Sequence, residues 1–417
     1  MYRVIYVSLT MLFTAILWSQ DTAKIMFYNL LDFPEAPPAN RQLILRDIID
    51  EVQPDVFMVA ELQDQVGVDL ILNQSLNDDD GDNYVSAPFV LNTSGSGGSI
   101  QQLLYYDSTK FSLELTDIIQ TSLRDINRYQ LKALTTQSQS NPIVIDFFVA
   151  HFKASQGDSN EQRRFDMALD FTNYINANLS PNANVVFAGD FNFYNANENG
   201  LQQLFIGNTI IPMNDPVDQL GDWHNNSAFS GVHTQSTRES NNPFNDFGAG
   251  GGLDDRFDFM FVSNNILDDT HEISYVDNSY KAFGNNGNCF NEDISDTSCF
   301  GEFNQTIRNL LWNMSDHLPL VMDLELNQNF LEVKNFSTKN IISFPEGNIA
   351  RYQLSIEIDP EYVNSLNKLY IYNTLGQQIK VVNVDNIDLN ISVEGFSNGV
   401  YFLKALNTNA IKFVVSP

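Results

Sequence analysis

The chain has 417 residues, 43% of them hydrophobic and 12% aromatic, with 22 Lys+Arg against 52 Asp+Glu and a formal charge of −30. A chain of this size and composition can bury a large core in two or three domains, which excludes a disordered or fibrous protein. Its acidity argues against coating DNA or an anionic membrane with a broad basic face, but leaves room for an enzyme that handles phosphate at one metal-loaded site.

At the N-terminus, Arg3 precedes a mostly apolar run, Val4–Trp18, and then the small Ser19. That is the order of a secretory signal, and the run is too short to span a bilayer comfortably. Residues 1–19 are therefore predicted to be a signal peptide, and the mature protein to be exported and soluble. No later run is long and apolar enough to predict a membrane span.

A short apolar run ending in one carboxylate, His or Asn then recurs. Lys24–Tyr28 ends at Asn29; after the amphipathic segment Arg41–Val52 and the breaker Pro54, Val56–Ala60 ends at Glu61. Ile143–Ala150 ends at His151, and Val185–Gly189 ends at Asp190, with Phe191 and Asn192 following. Arg256–Ser263 carries Asp258 inside a strand, and Ser315-Asp316-His317 stands directly before Leu318–Leu324. A buried strand can show polar chemistry only where its end leaves the core, and buried charge is costly unless paired or metal-bound. One such ending is an ordinary surface charge; the set predicts a shared mouth at one edge of the sheets.

Other features carry less. Asn77–Asn83 (NDDDGDN) lacks EF-hand spacing and a terminal Glu, and reads as an acidic turn with weak Ca2+ capacity at most. Ser94–Ser99 and Gly248–Gly252 have no following Gly-Lys-Ser/Thr and read as flexible loops, the second placed to overhang the site. Cys289 and Cys299 lie ten positions apart in a Gly/Asn-rich stretch. Export permits a disulfide, and no His or further Cys accompanies them, so a loop staple is favoured over a metal pair, with two free thiols as the alternative.

Residues 328–417 hold 8 acids and 7 bases, so nearly all of the negative charge lies before them. A domain border is expected there, with a catalytic region over 21–327 and a small all-β sandwich over 330–417. In the latter, LYIYNTLGQQIKVV and NGVYFLKAL alternate in strand fashion around Asn-Thr-Leu-Gly and Asn-Gly turns.

Two resemblances follow. Tyr28-Asn29, Ala60-Glu61, AHFKA (Ala150–Ala154), GDFN (Gly189–Asn192), RFDF (Arg256–Phe259) and SDHLP (Ser315–Pro319) together resemble the endonuclease/exonuclease/phosphatase superfamily over roughly residues 24–325. Lys368–Gln378, Gly395–Leu406 and the final IKFVV are similar to the C-terminal sorting domain of type IX secretion in Bacteroidetes. The match departs at Phe344–Asn348 (FPEGN), where that family usually shows a Tyr-Pro-Asn-Pro-like turn.

The first resemblance implies a DNase-I-like fold, a four-layered α/β sandwich of two mixed β-sheets flanked by helices. It also implies phosphodiester hydrolysis supported by Mg2+ or Mn2+, which hard oxygen ligands suit, with Ca2+ as a further option. Glu61, assisted by Asn29, would be the metal ligand, and Asp316 would hold a second metal or adjust the water network. His317 would be the general base, oriented by Asp258. Asp190 would serve metal or proton chemistry, Asn192 would bond phosphoryl oxygens, and His151 would touch the scissile phosphate or leaving group. Arg128 resembles an Arg that steadies the phosphate; Lys153, with Arg163 and Arg164, forms either a cationic rim or a solvated helix face. The leading expectation is a secreted, monomeric nuclease. The alternative is a phosphodiesterase or phosphatase acting on phospholipid head groups or inositol and sugar phosphates; less favoured is an inactive surface binding protein. The second resemblance implies handling by the type IX machinery and release or surface attachment.

Overall fold

A computed structural model describes residues 21–416 apart from 80, 96–99, 240–241, 245–246, 268–271, 332–341, 361–362, 364–365, 367 and 406–409. The predicted signal segment 1–19, Asp80 of the acidic turn and residues 96–99 of the first Gly-rich loop lie outside the described residues. The chain divides into two compact units, one of residues 1–78 and 83–331, the other of 79–82 and 332–417.

The first unit runs β1 (Asp21–Phe33), α1 (Arg41–Val52), β2 (Val56–Leu62), α2 (Gln65–Ile71), β3 (Tyr84–Ser86), β4 (Gln101–Asp107), β5 (Phe111–Ile119), β6 (Ile126–Ala133) and β7 (Val144–His151). It continues α3 (Asp158–Asn178), β8 (Asn184–Asp190), α4 (Asn199–Ile206), β9 (Met213–Asn214), β10 (Asp258–Ser263), α5 (Asn264–Leu267), β11 (Ile273–Tyr275), β12 (Lys281–Ala282), α6 (Gln305–Met314) and β13 (Leu320–Leu326). The first sheet has the order β11-β13-β1-β2-β4-β3, with β12 also on β13, and the second β5-β6-β7-β8-β10-β9. Both are mixed: β1 runs parallel to β2 and β7 to β8, among antiparallel neighbours.

Side chains alternate across a strand, and in the second sheet this alternation separates two cores. Phe147, Val149, Val186, Ala188, Met260 and Val262 face the first sheet and join its core. Phe148, Phe187, Phe259 and Phe261 turn the other way, onto Met167, Phe171 and Ile175 of α3 and Leu201 and Leu204 of α4. On the far side of the first sheet, α1 buries Leu45, Ile48, Ile49 and Val52, spaced for one helical face, beside Ile307, Leu311 and Met314 of α6. The layers are therefore helix, sheet, sheet, helix.

Phe187 is the hub of the outer core. Its ring stacks on Phe171 at 3.9 Å and meets Phe191 edge-on at 4.8 Å. Phe187→Ala is expected to destabilise this unit by about 3–5 kcal/mol, read as a lowered urea midpoint with the slope unchanged. A shift within 0.5 kcal/mol, about the size of a surface substitution, would contradict the packing.

In the second unit, Ile342–Ser343, Gln353–Ile358 and Asp388–Ser392 form one sheet. Ile349–Ala350, Ile411–Val415, Gly399–Ala405, Lys368–Asn373 and Gln378–Asn383 form another, in that order. Leu354, Ile356, Ile371, Leu403 and Phe413 fill the core of this all-β unit. No helix among the described residues is long and apolar enough to cross a membrane. Cys289 and Cys299, in the first unit, are joined by a disulfide.

Candidate active site

Register and alternation build the site. His151, Asp190 and Asp258 stand abreast, because His151 pairs with Asp190 across β7 and β8 and Asp258 pairs with Asp190 across β10 and β8. Each continues the row of side chains that faces the first sheet, two positions beyond Val149, Ala188 and Met260 respectively. From the first sheet come Asn29, in register with Ala60, and then Glu61. Phe191 turns into the outer core, so Asn192 returns to the site side. Glu61 and Asn192 both take left-handed backbone, with φ of 60° and 53°. That conformation costs a non-glycine residue about 1–2 kcal/mol and aims both side chains off the regular strand direction.

Asn29 lies at the centre. Its Nδ2 donates to Glu61 Oε1 at 3.0 Å and to Asp190 Oδ2 at 3.1 Å, and lies 3.4 Å from His317 Nε2. Asp190 Oδ2 is 3.4 Å from His151 Nε2 and 3.7 Å from His317 Nε2, while its Oδ1 accepts from Asn192 Nδ2 at 2.7 Å. His317 Nδ1 bonds Asp258 Oδ2 at 2.7 Å, leaving Nε2 as the nitrogen that faces the cluster. Ser315 Oγ donates to the Asn29 carbonyl at 2.7 Å and accepts from the His317 amide at 3.2 Å. Thr234 Oγ1 accepts from the Asp258 amide at 3.2 Å. Ser315 and Thr234 thus fix the imidazole and its carboxylate to both sheets.

One expectation needs correction, and the other residues take the places described below. Arg128 is not at the site. It is opposite Phe148 in register, and the pairing puts it on the helix side, where it forms an ion pair with Asp146 at 2.7 Å and donates to Tyr174 Oη. Asn29 presents its amide nitrogen to the carboxylates while its Oδ1 accepts from Leu31 N. In that arrangement it is a donor bridging Glu61 and Asp190. Asp316 Oδ2 accepts from Ala249 N at 2.6 Å and from Gln235 Nε2 at 3.2 Å, tying down the Gly248–Gly252 loop. It belongs to neither of the two groups whose ligand atoms lie within 4.8 Å of one another, Glu61–His151–Asp190 and Asp190–Asp258–His317. Lys153 Nζ donates to the Ala154 carbonyl, and Arg164 is buried in an ion pair with Glu198.

Two residues escape a strand-end reading. Gln235 Nε2 lies 2.6 Å from His317 Nε2, brought there by a loop with no apolar run to mark it. Arg124 donates to the carbonyls of His151 and Phe152 at 3.1 and 2.9 Å, which places a cation behind the cluster.

The model of the Endonuclease/Exonuclease/phosphatase family matches residues 26–317. The chain belongs to this family. Its catalytic unit is that of a metal-dependent phosphoric ester hydrolase with the DNase-I-like fold. Residues 348–416 match the secretion system C-terminal sorting domain, which directs the family member to the cell surface or the medium through type IX secretion. No curated protein matches the chain. Among similar solved structures, the catalytic domain of human Nocturnin with bound sulfate is 14% identical, with 74% of this chain and 98% of that one covered and a TM-score of 0.41. TDP2 of D. rerio complexed with single strand DNA product is 15% identical, covering 73% and 99%, with a TM-score of 0.46. A Bacteroides thetaiotaomicron endonuclease/exonuclease/phosphatase family protein is 13% identical, covering 74% and 100%, with a TM-score of 0.45.

The residues of this hydrolase fit a divalent cation. Burial raises Glu61, and burial pushes Asp190 up to about 8, with His317 opposing and Asp258 and Glu61 adding to the rise. Carboxylates held together in this way need added positive charge to ionise together. Asp258 Oδ1, Asp316 Oδ1 and His151 Nδ1 are also buried with no hydrogen-bond partner among the described residues. The two imidazoles diverge. Burial lowers His151 well below its usual value, helped by Arg124, His317 and Lys153. Burial acts on His317 in the same direction, yet Asp258, Asp316 and Asp190 outweigh it and hold it well above the usual value.

Asp190, Glu61 and His317 all bind a proton more tightly folded than unfolded. The stability they contribute is complete below the unfolded carboxylate range near 4 and drains away as pH rises through about 8. In EDTA the catalytic unit is therefore expected to melt lower at pH 9 than at pH 7, a window in which His151 is uncharged folded and largely so unfolded, and Mg2+ at pH 9 should restore most of the difference. NaCl at matched ionic strength should restore little, because buried groups are weakly screened. Equal melting at both pH values, unaffected by Mg2+, would remove the electrostatic basis of the metal site.

Proposed function

We propose that the protein is an exported nuclease that hydrolyses phosphodiester bonds in DNA or RNA with Mg2+ or Mn2+. The observation that carries the reading is the meeting of a buried carboxylate cluster with a His–Asp pair at the shared mouth of the two sheets. Glu61 and Asp190 would hold the cation, with His151 in reach. When bound, it supplies positive charge against the phosphate and the leaving oxygen.

The chain's own groups do the rest. Asp258 keeps the proton of His317 on Nδ1, so that Nε2 takes a proton from water. Gln235, now on that nitrogen, lies where it can orient the water once displaced. His151, uncharged, offers a donor to a phosphoryl or leaving oxygen, and Asn192 another through its amide, which Asp190 fixes. Asp316 anchors the loop over the mouth. Lys153, partly exposed two residues beyond His151, is a cation available to a polymer of phosphates, while Arg124 adds positive charge from behind.

The test is a panel of double- and single-stranded DNA, RNA, sphingomyelin and inositol phosphates, each with Mg2+, Mn2+, Ca2+ or EDTA. Nucleic acid cleavage that EDTA abolishes is expected. Hydrolysis of sphingomyelin or an inositol phosphate with DNA and RNA intact would overturn the nuclease reading in favour of the phospholipid or small-phosphate one.

A further inference from the structure

A second imidazole–carboxylate pair stands on the same edge of the second sheet. His224 Nδ1 is 2.6 Å from Asp255 Oδ1, and His224 Nε2 is 2.9 Å from the Gln156 side-chain amide. The Tyr194 ring meets the imidazole edge-on at 5.1 Å. The side chain of His224 remains 37% exposed, against 13% for Asp255, so the pair is anchored from below and open above.

Its neighbours all extend the site strands. Gln156 follows β7 and His151, Tyr194 follows β8 and Asn192, and Asp255 precedes β10 and Asp258. Asp255 also exchanges backbone hydrogen bonds with Gln235, at 2.8 and 3.0 Å, and the Gln235 side chain reaches His317. His224 is thus tied, through Gln156, Tyr194 and Asp255, to the segments that run on from the site strands. The intervening segment supplies Lys153, one of few bases in a chain with a net charge of −30. Asp255 on Nδ1 fixes the ring and leaves Nε2 as the nitrogen that faces outward, toward Gln156. The Gln156 amide, itself exposed, can rotate its oxygen onto an N–H there or yield the place to a phosphate oxygen.

We propose that His224, held by Asp255 and gated by Gln156, is a subsite for the non-scissile phosphate of the neighbouring nucleotide, giving the enzyme a preference for polynucleotides over isolated phosphodiesters. The inference rests on the nuclease reading. The measurement is kcat/KM for the full-length enzyme on a short oligonucleotide and on bis(p-nitrophenyl) phosphate, a phosphodiester without a neighbour. In His224→Ala the ratio of the two should fall about ten-fold, as loss of one charge-assisted hydrogen bond implies. The salt dependence of the oligonucleotide reaction should also weaken by about one phosphate contact. His224→Asn, which keeps an amide beside Asp255, guards against misfolding and should show the same fall. An unchanged ratio in both variants, with an unchanged salt slope, overturns the subsite. Hydrolysis of bis(p-nitrophenyl) phosphate by the wild-type enzyme with every nucleic acid left intact instead overturns the nuclease reading, and the subsite with it.

Discussion

His317→Ala is expected to lower kcat about 10²–10⁴-fold on whichever phosphodiester the enzyme accepts, with a much smaller change in KM. The imidazole is buried, fixed through Nδ1 by Asp258 and through its amide by Ser315, and faces the cluster only with Nε2. A group so constrained acts in the step where water loses a proton and adds little to ground-state binding. The pH profile separates this role from a structural one. His317 must be uncharged to accept a proton, so the rate rises with pH across its titration, and the surrounding carboxylates displace that limb upward. Asp258→Asn removes the carboxylate that acts most strongly on the ring and should move the limb to lower pH while lowering the plateau, because the tautomer is no longer fixed. His317→Ala protein that keeps activity within three-fold, roughly 0.7 kcal/mol, would end the assignment.

Glu61→Gln should be nearly as damaging and differ in kind. The amide matches the carboxylate in shape and keeps a bond to Asn29, but removes one negative charge from the pair formed with Asp190. A loss of about 10²–10³-fold at fixed Mg2+ is expected, together with at least a ten-fold rise in the Mg2+ concentration giving half activity, since the charge that attracts the cation is halved. Direct Mg2+ binding followed by calorimetry should weaken in parallel. An unchanged Mg2+ midpoint would mean that the cation sits elsewhere.

What could be read beforehand divides along a physical line. A strand that leaves the core announces its last polar residue, because a run such as Ile143–Ala150 leaves only its end for chemistry. His151, Asp190 and Asp258 accordingly meet on one edge, with Asn29, Glu61 and His317 against them. Facing direction is harder. Arg128 sits in a strand whose register against β7 is set by distant pairing, and one step of alternation moves it from the site to the helix layer. The surroundings of Gln235 and Asp316 depend on residues 234–239 and 247–252, held by turns and side-chain bonds that no periodicity marks. His224 and Arg124 lie in similar segments. Asn29 shows a third limit, since an amide offers either a donor or an acceptor and only the surrounding partners decide which.

The last strand of the catalytic unit lies directly beside the first: β13 pairs with β1 from Asp21↔Leu326 to Phe27↔Leu320. Asn29 and His317, nearly 300 residues apart in the chain, come within 3.4 Å only when that pairing has closed. Before that pairing closes, the chain carries the residues of the candidate site without the site itself. The site is therefore an all-or-none property of the finished catalytic unit.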